Sequence, residues 1–173
     1  ATARRQADDP ATTLVVTPEL ALCGYPPRDL LYDPDFVHEA LAATTQLADE
    51  LDRHFPDGPA VLCGTLVRAP AAAVQQPRHP GLYDAAVLLG GGEIRGVVAK
   101  RLLPVYDVFY EPRWFVPGPV GAPLPFAGHR LGVLLCEDLW DEDYPLHPAQ
   151  ELVAAGADLL GARAHVEGGE AED

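Results

Sequence analysis

The sequence predicts an α/β protein with a mixed sheet. Three observations carry that expectation. Apolar runs of strand length recur at 12–17, 60–67, 84–89 and 131–135. Between the first two lies a stretch with helical spacing, at 33–54. Gly90-Gly91-Gly92 joins 84–89 to 93–100 as a hairpin, which places an antiparallel pair inside a strand–helix alternation.

In chain order, 1–13 reads as a frayed tail, or as the end of something truncated. Residues 12–17 (Thr-Thr-Leu-Val-Val-Thr) form a buried strand that Pro18 must end, because proline cannot donate to a ladder. Gly24 and Pro26-Pro27 forbid a regular helix over 20–31, yet its leucines and tyrosine need burial, so it is an ordered loop. Asp33-Pro34 opens a helix with a capping side chain and a proline at the first helical position. Phe36, Val37, Ala40, Leu41, Thr44, Leu47, Ala48 and Leu51 make its apolar stripe, and Pro56-Asp57-Gly58-Pro59 stops it.

Residues 60–67 are the second strand. The stretch 68–81 is rich in Pro, Ala and Gln and reads as a mobile surface loop. Residues 102–119 combine five of the thirteen aromatic residues with four prolines, too apolar for a solvated linker and too broken for a helix. They form a structured wall, with Glu111 a carboxylate among the aromatics. After a turn-rich 116–128 comes the strand 131–135, then an acidic turn at 141–143, a short helix at 148–155 and a short strand at 157–160. The end, 167–173, is acidic, Gly-rich and expected to be disordered.

Composition excludes several classes of function. The chain has 173 residues, enough for one domain with a sizeable core. A net charge of -14 argues against nucleic acid and against an anionic membrane surface. No apolar run approaches the roughly 20 residues of a membrane span, and no signal-peptide core opens the chain. Three cysteines, Cys23, Cys63 and Cys136, form no zinc-spaced cluster, so no metal site is expected. Sparse, odd-numbered thiols suit a reducing, cytoplasmic location. The absence of methionine suggests a piece of a longer chain.

Glu19, Lys100 and Cys136 each close an apolar strand, so one sheet edge can gather them. Ligands of open α/β sheets bind at that edge. A carboxylate can take a thiol proton and return it to a leaving amine. An ammonium favours the thiolate and stabilises an oxyanion. The alternatives are a core cysteine, a snorkelling lysine and a solvated loop carboxylate.

Pro18-Glu19 with Gly24-Tyr25, Lys100 with Leu103-Pro104, Phe109-Tyr110-Glu111, and Cys136-Glu137-Asp138 together resemble the nitrilase (carbon-nitrogen hydrolase) superfamily. The strings Glu19-Leu-Ala-Leu-Cys-Gly-Tyr-Pro-Pro-Arg-Asp-Leu-Leu31 and Cys136-Glu-Asp-Leu-Trp140 are similar to the glutaminase domains of glutamine-dependent NAD⁺ synthetases. The resemblance implies a four-layer αββα sandwich, here truncated at both ends, with 1–173 a partial glutaminase domain and the synthetase domain absent. It implies a Glu19-Lys100-Cys136 triad that releases ammonia from glutamine for amidation in NAD⁺ biosynthesis. Glu111 would orient Lys100 or the substrate, the Glu137 backbone N–H would help hold the oxyanion, and Tyr106 would contact glutamine. The glutaminase domain needs no cofactor of its own; ATP belongs to the synthetase domain, the expected partner. Homo-oligomers are expected. Where the family carries an Asn-x-Ser segment, this chain has Gly161-Ala-Arg-Ala-His165, which leaves two alternatives standing: an amidase for another small amide, or a non-catalytic remnant serving as an assembly surface.

Overall fold

A computed structural model describes residues 13–107 and 109–163. The expectations for 1–12 and for 167–173 lie outside these residues, as does 164–166 of the segment that departs from the family pattern. Two mixed sheets form. The first has the order β1 (Leu14–Val16), β2 (Ala60–Arg68), β3 (Leu82–Gly90), β4 (Glu93–Ala99). β1 runs parallel to β2, and β2, β3 and β4 are antiparallel. The second has the order β5 (Leu124–Phe126), β6 (His129–Leu135), β7 (Leu159–Arg163), antiparallel then parallel.

The layering follows from which side chains each strand buries. Leu62, Ala86, Leu88 and Val98 of the first sheet meet Leu131, Val133 and Leu135 of the second, so the sheets pack face to face. Val61, Cys63, Val87 and Leu89 point the other way, onto Ala48 of α1 (Pro34–His54). Alternate residues of a strand face opposite sides, so Gly132 looks away from the first sheet. A Cβ there would sit 3.3 Å from Cβ of Leu152 in α2 (Pro148–Ala154), so glycine lets this helix lie close on the outer face. The result is an αββα sandwich.

Asp33 caps α1 through Oδ1, which accepts the Asp35 N–H at 2.9 Å. Three local readings change. β7 starts two residues later than expected, because Asp158 is spent on the turn: its Oδ1 accepts the Arg130 N–H at 3.0 Å. β5 lies within the stretch read as turns. Pro125 is tolerated within it because β5 pairs on one side only, so the missing donor costs no ladder bond. β3 starts at Leu82, two residues before the expected Asp84. Residues 20–31 form the expected ordered loop, ending in a 3₁₀ turn, Arg28–Tyr32, with Leu20 and Leu31 buried.

Candidate active site

Lys100 immediately follows β4. Its N–H donates to the Asp84 carbonyl at 2.8 Å and its carbonyl accepts the Gly118 N–H at 2.7 Å. A Cβ on Gly118 would lie 2.5 Å from the Ala99 carbonyl oxygen, so only glycine allows this strap to close on the lysine backbone. The Lys100 side chain is fully buried. An ammonium in that position requires counter-charge. Glu19, just past β1, supplies it through Oε1 at 2.7 Å from Nζ. Glu111, opening a 3₁₀ turn (Glu111–Arg113), straddles the ammonium with Oε1 at 2.9 Å and Oε2 at 2.8 Å. Tyr25 donates its hydroxyl to Glu111 Oε1 at 2.8 Å.

A third carboxylate was not expected. Asp84 lies inside β3, 1% exposed, with Oδ2 3.9 Å from Lys100 Nζ. Oxygens of Glu19, Asp84 and Glu111 fall within 4.8 Å of one another. The place a metal cation would take among them is held by the lysine ammonium. Burial lowers the Lys100 ammonium, but the Glu111, Asp84 and Glu19 charges outweigh it and hold the lysine above its usual range. Burial raises Glu111, with Lys100 opposing.

Cys136 stands where β6 ends and a 3₁₀ turn (Cys136–Leu139) begins. Its φ of 43° is left-handed, which a non-glycine residue seldom adopts. The side chain is half-buried. Its charge reaches two tyrosines, Tyr25 and Tyr106. Burial and then Glu111 raise the Tyr25 hydroxyl, and the Glu19 and Cys136 charges add to this. Tyr106 is pushed up to about 12, first by its hydrogen bond to Glu137, with the Cys136 charge again contributing.

Glu137 is buried and acts through its side chain: Oε2 accepts the Tyr106 hydroxyl at 2.7 Å and Oε1 the Tyr144 hydroxyl at 2.8 Å. It thereby holds the loop after Lys100 and the acidic turn on either side of the cysteine. Tyr106 is itself 48% exposed, on the open side of this arrangement. Asp138 ties the cysteine turn to the lysine strand. Oδ1 accepts the N–H groups of Arg101 (3.0 Å) and Leu102 (2.9 Å), and Oδ2 that of Leu135 (3.2 Å). Burial pushes the Asp138 carboxyl up, and the three N–H donors pull against it.

The structure thus gathers Glu19, Lys100 and Glu111 in one buried cluster, ties the Cys136 turn to the lysine strand through Asp138, and pairs Tyr106 with Glu137. Sequence reasoning missed Asp84, Asp138 and Tyr144. A charge within an apolar strand was the available signal for Asp84. For Asp138 it was a carboxylate three residues past the end of a buried strand. Nothing in the sequence singled out Tyr144.

A family model described as carbon-nitrogen hydrolase matches residues 1–173. A glutamine-dependent NAD(+) synthetase from Synechocystis sp. is 36% identical over 166 residues, 92% of this chain and 29% of that protein. The solved glutamine-dependent NAD+ synthetase of Acinetobacter baumannii superposes with a TM-score of 0.74 at 25% identity, over 95% of this chain and 27% of that one. An amidase from Nesterenkonia sp., carrying the acetamide moiety of fluoroacetamide on its active site cysteine, shares the fold (TM-score 0.69, 23% identity, 98% and 58% covered). The chain spans less than a third of the length of the synthetases it matches.

Proposed function

Since this chain belongs to the carbon-nitrogen hydrolase family, we propose that it hydrolyses the side-chain amide of glutamine, with Cys136 as nucleophile. The ammonia would serve amidation in NAD⁺ biosynthesis, with an ATP-dependent synthetase domain as its partner. The observation that carries this reading is the buried Glu19–Lys100–Glu111 cluster, with the left-handed cysteine turn tied through Asp138 to the residues after the lysine. Burying a lysine between two carboxylates gains little stability over an apolar core, so such a cluster points to chemistry.

In the reaction, Glu19 takes the Cys136 proton and the thiolate attacks the amide carbon. The carbonyl π electrons move to oxygen, where the Lys100 ammonium and the Glu137 N–H stabilise the charge. As the C–N bond breaks, Glu19 returns the proton to nitrogen and ammonia leaves. Glu19 then takes a proton from water, whose oxygen attacks the thioester; glutamate and the free thiol result. Glu111 and Tyr25 keep the Lys100 ammonium in place. Tyr106, half exposed and hydrogen-bonded to the residue after the cysteine, would contact the substrate.

The test is labelling with a glutamine-mimicking electrophile, read by intact mass and peptide mapping. Cys63 is buried and the Cys23 thiol, raised to about 12 chiefly by burial, is a poor nucleophile at neutral pH. Selective modification of Cys136, with protection by glutamine, is expected. Protection by small amides and not by glutamine would favour the amidase alternative, for which the Gly161-Ala162 segment, lacking a side-chain amide or hydroxyl, is the supporting observation. Equal or absent labelling would refute both.

A further inference from the structure

We infer that Asp84 is a positioning residue that holds a proton between itself and Glu19, so that the general base is fixed by a carboxylic acid as well as by the lysine. The argument starts from unmatched oxygens. Glu19 Oε2 and both Asp84 oxygens are buried and have no hydrogen-bond partner among the described residues when both groups are ionised. Three buried acceptors with no donor are a costly arrangement, and carboxylates can donate nothing to each other. One added proton converts one of these acceptors into a donor and lets the two carboxyl groups bond.

Charge leads to the same conclusion. With all three carboxylates ionised, the buried cluster holds three negative charges against one ammonium. Taking up one proton leaves two against one. The proton belongs on the carboxyl farthest from the ammonium: Glu19 and Glu111 approach Nζ to 2.7 and 2.8 Å, whereas Asp84 stands at 3.9 Å. Burial, then the Glu19 charge, raise Asp84 well above its ordinary value, with Lys100 opposing and Glu111 adding.

The neighbours leave no other partner in view. Glu19 faces Asp84 from the end of β1, Lys100 from β4 and Glu111 from its 3₁₀ turn. Cys23 lies close enough from the 20–24 turn to feel its charge. In β2 its register partner is the apolar Leu66. The role rests on the proposed hydrolysis, since it is the base of that reaction which Asp84 holds. Glu19 has one oxygen on Lys100; the Asp84 hydrogen bond fixes the other, which removes the freedom to rotate away from the thiol.

The test compares the wild-type chain with Asp84→Asn and Asp84→Ala. Infrared difference spectra at neutral pH read the carbonyl stretch of a protonated carboxylic acid. That band is expected in the wild type and absent from Asp84→Asn. The asparagine amide still donates to Glu19, so Asp84→Asn should keep kcat within about threefold, while Asp84→Ala should lower kcat by about 10- to 100-fold at unchanged KM. A wild type without the band, or an Asp84→Asn variant as impaired as Asp84→Ala, overturns the assignment. The band does not depend on turnover. A wild type that shows it yet hydrolyses no amide supports the shared proton and refutes the hydrolase reading alone. Should Asp84→Ala fail to fold, the band and the Asp84→Asn rate still decide.

Discussion

Asp138→Ala tests how the cysteine turn is held. The carboxylate accepts three backbone N–H groups, two of them in buried bonds (Leu102, Leu135) and one part-buried (Arg101). Alanine leaves all three donors without an acceptor and admits no replacement from the packed surroundings. Each buried donor so orphaned costs about 1–3 kcal/mol, so the two buried ones alone should cost the variant about 2–6 kcal/mol. That is a large part of the roughly 5–15 kcal/mol that holds a typical domain together. Asp138→Asn keeps one oxygen, able to serve Arg101 and Leu102, while its amide group confronts the Leu135 N–H; it should lose less. Urea unfolding, with the m value checked for constancy, measures both. An Asp138→Ala loss below about 1 kcal/mol would refute the claim that these bonds tie the two strand ends together.

Cys136→Ala should abolish amide hydrolysis while shifting stability by no more than about 1 kcal/mol, read by ammonia release and urea unfolding. Lys100→Met leaves the buried Glu19 and Glu111 carboxylates without their cation and should cost about 3–5 kcal/mol at neutral pH. The loss should shrink as pH falls, because protonation removes the charges; unfolding curves across pH report it. Asp84 in the folded chain retains a proton that the unfolded chain gives up above its ordinary value of 3.8. Wild-type stability therefore falls as pH rises from there until Asp84 itself ionises. Asp84→Asn removes that slope, so its stability relative to wild type should climb with pH by up to about 1.4 kcal/mol per unit. A flat difference in thermal unfolding across that window would contradict it.

The positions of Glu19, Lys100 and Cys136 at strand ends were legible because an apolar run that stops at a charged or nucleophilic residue marks the sheet edge. Glu111 was legible as a carboxylate next to Tyr110, within an aromatic, proline-broken stretch. Asp84 was not, because the strand was read as starting there; β3 begins at Leu82, and two further residues turn a polar strand start into a charge inside a core. Asp138 passed as the second of two acidic residues because its value lies in three bonds to backbone, two of them to a segment 36 and 37 residues away. Periodicity cannot see such long-range bonds. β5 escaped for a related reason: a three-residue strand exists only through its partner.

The left-handed backbone of Cys136 sets the protein's evolution a particular problem. Holding a side chain at that φ costs on the order of 1–3 kcal/mol, and glycine would be free of the cost. Mutational drift judged by folding alone would therefore favour losing the thiol. A lineage that keeps cysteine there accepts a less stable chain, whereas one released from the need for the thiol gains by dropping it. Under the proposed hydrolysis, the residue at this one turn is an internal record of whether selection still acts on the thiol.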